Sequence, residues 1–172
     1  LTFQFLLKSA KNKTEKIFLL RSKIEDMLNT VVRQISFFEF ERNIHKLRMK
    51  GEISTEEISK IWIKTQKESL GSYINLSGDY KYFWAYIPHF IHSPFYVYAY
   101  AFGDCLVNTL YTRYEQNFPN FNRKYFKLLE NGGSKHYKET LKDFDLDPSR
   151  NDFWELGINI IKNLMDELEK LS

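Results

Sequence analysis

Apolar residues recur along most of this chain at three- and four-residue steps, the period of one face of an α-helix. From Thr14 to Lys50 the series Ile17, Leu20, Ile24, Met27, Val31, Ile35 and Phe38 predicts one long helix, with Thr14 as N-cap and Gly51 as its C-terminal stop. The opening stretch LTFQFLLKSAK reads as the end of an amphipathic helix already under way. Ser54 followed by Glu57 forms a capping box and predicts a second helix that ends near Gly71. The polar segment from Ser72 to Asp79 is too short to separate independent domains and reads as a loop. Ser93-Pro94 offers a capping residue with proline at the first helical position, predicting a helix from there to about Gln116. Further helices are predicted over Phe121–Asn131, closed by Gly132-Gly133, over Tyr137–Phe144, and over Asn151–Leu171 with Ile158, Ile161, Met165 and Leu168 inward. Sustained period-two alternation is absent from the sequence, so the predicted class is all-α, with residues 1–172 forming a single helical domain.

Composition sharpens this picture at four points. With 43% apolar residues the chain can bury a core, and 15 Phe and 11 Tyr against 7 Gly and 4 Pro favour long regular elements. The net charge of +3 is scattered rather than gathered into a basic run, which argues against a nucleic-acid partner. The most apolar stretch, Phe90 to Val107, is interrupted by His92, Ser93, Pro94 and Asp104 and falls short of the ~20 apolar residues a membrane span needs. Cys105 is the single cysteine, so an intramolecular disulfide is impossible and a cytoplasmic location is expected.

Candidate chemistry concentrates in the segment IPHFIHSPFYVYAYAFG, residues 87–103. It is expected to place His89 and His92 in a loop and three phenolic hydroxyls at the start of a helix. A helix beginning at Pro94 sets Tyr96 and Tyr100 on one face and turns Tyr98 away. Two hydroxyls on one face can converge on a substrate carbonyl or a developing oxyanion. Composition alone leans the other way, toward a packed aromatic helix whose hydroxyls merely find partners. As metal ligands, His89 and His92 have permissible spacing but lack a third partner other than Asp79 or Asp104, so no metal site is assigned. Gly132-Gly133-Ser134 could let backbone approach a peptide, or simply close a helix. Cys105 reads as a small buried hydrophobe, and Arg33, Glu39 and Glu41 as a solvated helix face or structural ion pairs.

The segment IPHFIHSPFYVYAYAFG is similar to the stretch of oligoendopeptidase F-like enzymes, relatives of thimet oligopeptidase, that faces zinc across a substrate channel. RQISFFEFERNIHKL, KYFWAYIPHF, FKLLENGGSKHYKETLKDFDLD and DFWELGINIIKNLMDELEKL follow in the order of that family and extend the resemblance over nearly the whole chain. The resemblance implies a large helical shell around a deep channel, with zinc held by the histidines of an HExxH helix and a downstream glutamate. None of His45, His89, His92 or His136 stands in HExxH, so zinc is expected in the parent family while this chain carries no zinc ligands. By resemblance, His89, Tyr96 and Tyr100 are the catalytic hydrogen-bond donors, with His92, Tyr98, Gly132, Gly133 and Ser134 binding substrate. The expected function is the substrate-binding, C-terminal part of a zinc-dependent endo-oligopeptidase that hydrolyses short peptides. Its partners would be those peptides and the missing N-terminal half of the peptidase. The alternative is a catalytically inert helical module, for peptide binding or assembly, left from a split or decayed peptidase gene.

Overall fold

A computed structural model describes residues 2–171, and Leu1, which the sequence places in the opening helix, lies outside them. Nine α-helices are present among the described residues, with no strand: α1 (Thr2–Ser9), α2 (Lys13–Leu28), α3 (Gln34–Arg48), α4 (Thr55–Leu70), α5 (His89–His92), α6 (Tyr98–Glu115), α7 (Phe121–Asn131), α8 (Tyr137–Lys142) and α9 (Asn151–Leu171). The chain is all-α, as its periodicity predicts. It divides into two compact units, Met27–Phe102 on the one hand and the flanking segments up to Asp26 and from Gly103 on the other.

The first of these units is built on an aromatic core. Phe37 and Phe40 of α3, Trp62 of α4, Ile87 and Val97 are buried together, with Phe38, Ile44, Ile58, Tyr80, Trp84 and Phe90 packed around them. Fully burying a side chain of this size is worth roughly 1.5–3 kcal/mol, so this cluster accounts for much of the unit's cohesion. The two indoles also satisfy their polar edges. Trp62 Nε1 donates to the carbonyl of Tyr80 at 3.0 Å, and Trp84 Nε1 donates to Ser59 Oγ at 3.2 Å. Both bonds tie a 3₁₀ helix over Gly78–Tyr86, which the sequence reading did not foresee, to α4. The capping box at Ser54 and Glu57 opens α4 as predicted, and Gly71 closes it.

The single long helix expected over residues 14–50 is interrupted. Asn12, not Thr14, caps α2: its side-chain oxygen accepts the N–H of Glu15 at 2.9 Å. Between α2 and α3, residues Asn29–Arg33 form a π-turn. A π-turn adds a residue to the helical circuit and so shifts the phase of every side chain beyond it. Leu20, Ile24, Met27 and Val31 are buried as the 3.6-residue period requires, but Ile35 is exposed and the buried positions become Ser36, Phe37, Phe40 and Glu41. Ser36 braces the turn by donating from Oγ to the carbonyl of Arg33 at 2.8 Å, and the buried Gln66 donates to the same Oγ at 3.1 Å.

In the other unit, α6 and α9 approach closely at Gly157, where an added Cβ would lie 2.8 Å from the carbonyl oxygen of Cys105. Thr109 Oγ1 donates to the carbonyl of Phe153 at 3.1 Å beside this contact. The buried positions of α9 are Phe153, Gly157, Ile161 and Leu164. Ile158 and Met165, expected inward, are exposed. The expectation failed because it sought large side chains on the inner face and passed over a glycine that sits there. α8 stops at Lys142, short of the predicted Phe144, because Asp145 takes a left-handed conformation with φ 55°.

Candidate functional site

The segment 87–103 departs from its predicted form. The histidines do not lie in a loop: His89 and His92 are the first and last residues of the one-turn helix α5. Nor does a helix start at Pro94. Phe95 is held at φ 59°, in the left-handed region, and the helix begins at Tyr98. Tyr96 therefore sits in the turn before α6, and Tyr96 and Tyr100 do not share a helix face as expected.

The local fold nevertheless brings His89, Tyr96 and Tyr100 together. His89 Nε2 lies 3.0 Å from the Tyr100 hydroxyl. The His89 and Tyr96 rings are nearly parallel, at an interplanar angle of 6° and a centroid separation of 6.4 Å. The Tyr100 ring stands edge-on to both, 5.7 Å from His89 and 5.5 Å from Tyr96. Tyr96 and Tyr100 are 52% and 39% exposed, far more than a core role would leave them. In the tautomer with hydrogen on Nε2, His89 donates to the Tyr100 oxygen and leaves the phenolic hydrogen free to donate outward. Edge-to-face pairs fix ring orientation, so the donors are held in place before any ligand arrives.

The remaining sequence candidates are placed differently. Tyr98 packs edge-on against Phe38 of α3 at 5.7 Å. His92 is exposed at the far end of α5, and among the described residues no hydrogen bond or ring contact joins it to the cluster. Gly132, at φ 49°, ends α7, and Ser134 Oγ turns back to donate to the carbonyl of Asn131 at 2.6 Å. Among the described residues nothing beyond the chain neighbours lies within 4 Å of a Cβ added at Gly132 or Gly133, so the positive φ at Gly132 is what asks for glycine there. These three residues belong to the unit that starts again at Gly103, apart from the one that holds the His/Tyr cluster.

Sequence reasoning passed over the residues that shape the cluster. The Glu41 carboxyl, expected on a solvated face or in a structural ion pair, is buried at 2% exposure, and its Oε1 accepts the N–H of Phe95 at 2.8 Å. His45, one turn further along α3, packs against the Phe95 ring at a tilt of 50°, with the centroids 4.6 Å apart. Phe38, Glu41 and His45 thus form one stripe of α3 that grips residues 95–98. A left-handed conformation costs a non-glycine residue roughly 1–2 kcal/mol, which the bond to Glu41 and the His45 contact offset. Phe38 continues the apolar series of the sequence, and Glu41 and His45 follow it by three and seven residues, but nothing in that spacing shows that residues 95–98, distant in sequence, lie against them. The other two charges of the region match the earlier reading better, since Glu39 pairs with Arg42 and Arg33 lies over the Phe37 ring at 5.1 Å.

Zinc does not fit the residues present. Among the described residues no three His, Cys, Asp or Glu side chains are grouped so as to hold a metal ion, and His89 Nε2 is engaged with Tyr100. No step through a metal is assigned to this chain.

Known proteins resemble this chain over nearly its whole length. The chain is 29% identical over 167 residues to the plasmid-borne oligoendopeptidase F of Lactococcus lactis subsp. cremoris, covering 96% of this chain and 28% of that protein. It is 30% identical over 169 residues to an oligoendopeptidase F homolog of Borreliella burgdorferi, covering 98% of this chain and again 28% of the relative. The crystal structure of oligoendopeptidase-F from Enterococcus faecium superposes with a TM-score of 0.89 at 25% identity, over 98% of this chain and 32% of that one. The chain thus spans less than a third of the length of these relatives. The profile of Peptidase family M3 matches residues 2–160, and the chain belongs to that family.

Proposed function

We propose that this chain supplies the peptide-binding, hydrogen-bonding face of a zinc-dependent endo-oligopeptidase, with His89, Tyr96 and Tyr100 as its donors. The observation that carries this reading is the exposed cluster in which His89 meets the Tyr100 hydroxyl at 3.0 Å with the Tyr96 ring against both. A Tyr100 hydroxyl oriented by His89 can donate to a substrate carbonyl and bind it more strongly as negative charge develops on its oxygen. Membership of a peptidase family and likeness to oligoendopeptidase F make a peptide carbonyl the fitting acceptor. Zinc belongs to this reading through the family resemblance, with its ligands supplied by other parts of such an enzyme.

Titrating short peptides into the chain, and following ring resonances of histidine and tyrosine, tests the proposal. Tyr100→Phe removes one donor and keeps the ring, so affinity is expected to fall roughly three- to tenfold, the worth of one hydrogen bond. Tyr111→Phe, in α6 where that hydroxyl donates to Glu115 at 2.7 Å, is expected to leave affinity unchanged. Equal affinity of both variants and the unaltered chain removes the cluster from the peptide site, and absence of peptide binding overturns the reading.

A further inference from the structure

We infer that Glu41 is the positioning residue of the His89–Tyr96–Tyr100 cluster, fixing the turn at Phe95 through its backbone N–H and thereby setting where Tyr96 and Tyr100 point. This rests on the reading of that cluster as a peptide-binding face. Three observations carry it. Phe95 holds φ 59° although it is neither glycine nor asparagine, a conformation that persists only where surrounding structure enforces it. The enforcing contact comes from α3, distant in sequence: Glu41 Oε1 accepts the Phe95 N–H at 2.8 Å while the tilted His45 ring packs against the Phe95 ring. The second carboxyl oxygen, Oε2, is buried without a hydrogen-bond partner among the described residues. A buried polar atom left unpaired works against folding and opposes the gain from the Phe95 bond, so this carboxyl holds the turn at a cost that an apolar side chain would not carry.

The chain from Glu41 to the site is short. Val97, two residues after Phe95, is fully buried and anchors the far side of the turn, so the path of 95–97 is set at both ends. The N–H of Tyr96 bonds to the Ser93 carbonyl at 3.2 Å, and that of Tyr100 to the Val97 carbonyl at 3.3 Å. Releasing Phe95 to the ordinary right-handed or extended regions would redirect the peptide unit that carries Tyr96 and displace the start of α6. Glu41 touches no substrate in this scheme. Its effect passes through the turn alone.

The test compares Glu41→Leu, which keeps the volume and removes the acceptor, with Glu41→Gln, whose amide oxygen can still accept. Amide exchange at Phe95, His89 ring resonances and short-peptide affinity are read together, with circular dichroism reporting the helices. In Glu41→Leu, Phe95 exchange is expected to quicken at least tenfold, the His89 resonances to move toward those of Tyr100→Phe, and peptide affinity to fall. Glu41→Gln is expected to restore all three. Equal loss in both variants, or unchanged His89 resonances in Glu41→Leu, overturns the inference. Should Glu41→Leu fail to fold, the unaltered chain still decides: Phe95 exchanging as fast as exposed amides would show that no bond to Glu41 holds it, whereas protection reduced to that of exposed amides only in Glu41→Ser supports the inference. If the unaltered chain binds no peptide while exchange and ring resonances respond as expected, the functional reading fails and the positioning role stands.

Discussion

Burial acts on single ionisable groups with a sign that can be tested. On α6, burial holds the Asp104 carboxyl above its ordinary 3.8, only partly countered by Lys23 and by the bond from Asn108 at 2.8 Å. Burial likewise pushes the neighbouring Cys105 thiol up to about 11, with Asp104 adding to the effect. The folded chain therefore binds the Asp104 proton more tightly than the unfolded chain does. Between the ordinary carboxylate pKa and the raised one, the unfolded state gives up its proton first, so stability falls as pH rises through that window. Asp104→Asn removes the charge and is expected to raise the melting temperature at neutral pH, with the gain vanishing below the ordinary carboxylate range. Thermal melts of both proteins at several pH values check this, and an unchanged melting temperature at pH 7 would contradict it. Legibility in the sequence also differs residue by residue. His89, Tyr96 and Tyr100 stood out as unusual polar tips in an apolar run, and the structure does bring them together. Glu41 reads in sequence as part of a solvated face or an ion pair, because a carboxyl among apolar neighbours looks the same whether it is solvated or buried against a backbone N–H.

Elements were legible where a local signal defines them. The capping box at Ser54, the glycine stops at Gly71 and Gly132, and the span of α9 all rest on chemistry within a few residues. Three misreadings fall where distant contacts decide: the π-turn braced by Gln66, the delayed start of α6 at Tyr98, and the inner face of α9. That last face depends on Gly157, where backbone meets backbone. Glycine inside a helix ordinarily costs up to about 1 kcal/mol relative to alanine, so a bare propensity argument expects Gly157→Ala to stabilise. The added Cβ would instead lie 2.8 Å from the carbonyl oxygen of Cys105 and 3.0 Å from its Cα, both backbone atoms that cannot swing aside. Overpacking of this kind typically costs about 1–3 kcal/mol and outweighs the propensity gain. Gly157→Ala is therefore expected to lower stability in urea by roughly that amount, whereas a gain would show that α9 can move away from α6 without loss.

At the scale of the whole molecule, what remains uncovered matters as much as what is packed. Tyr86, Ile91, Phe18, Phe5 and Phe126 leave most of their surface to solvent, at 81%, 69%, 70%, 72% and 64% exposure, and Leu129 joins Phe126 on α7. Single exposed apolar residues are ordinary on a soluble protein, but here both compact units carry several large ones. In the relatives these helices belong to chains more than three times as long, since the matched region is 28% of their length. Charge offers little resistance to association, because a net charge of +3 on 172 residues repels weakly at physiological ionic strength. The chain on its own is therefore expected to be helical by circular dichroism and to self-associate, with the weight-average mass in sedimentation velocity rising with concentration above the 20.7 kDa monomer. Replacing Phe126 and Leu129 together by serine should reduce that association without altering helicity, since neither side chain is buried in the core. A monodisperse species at the monomer mass across the whole concentration range would mean that these aromatic surfaces are tolerated singly in water, and that the chain needs no covering to stay apart.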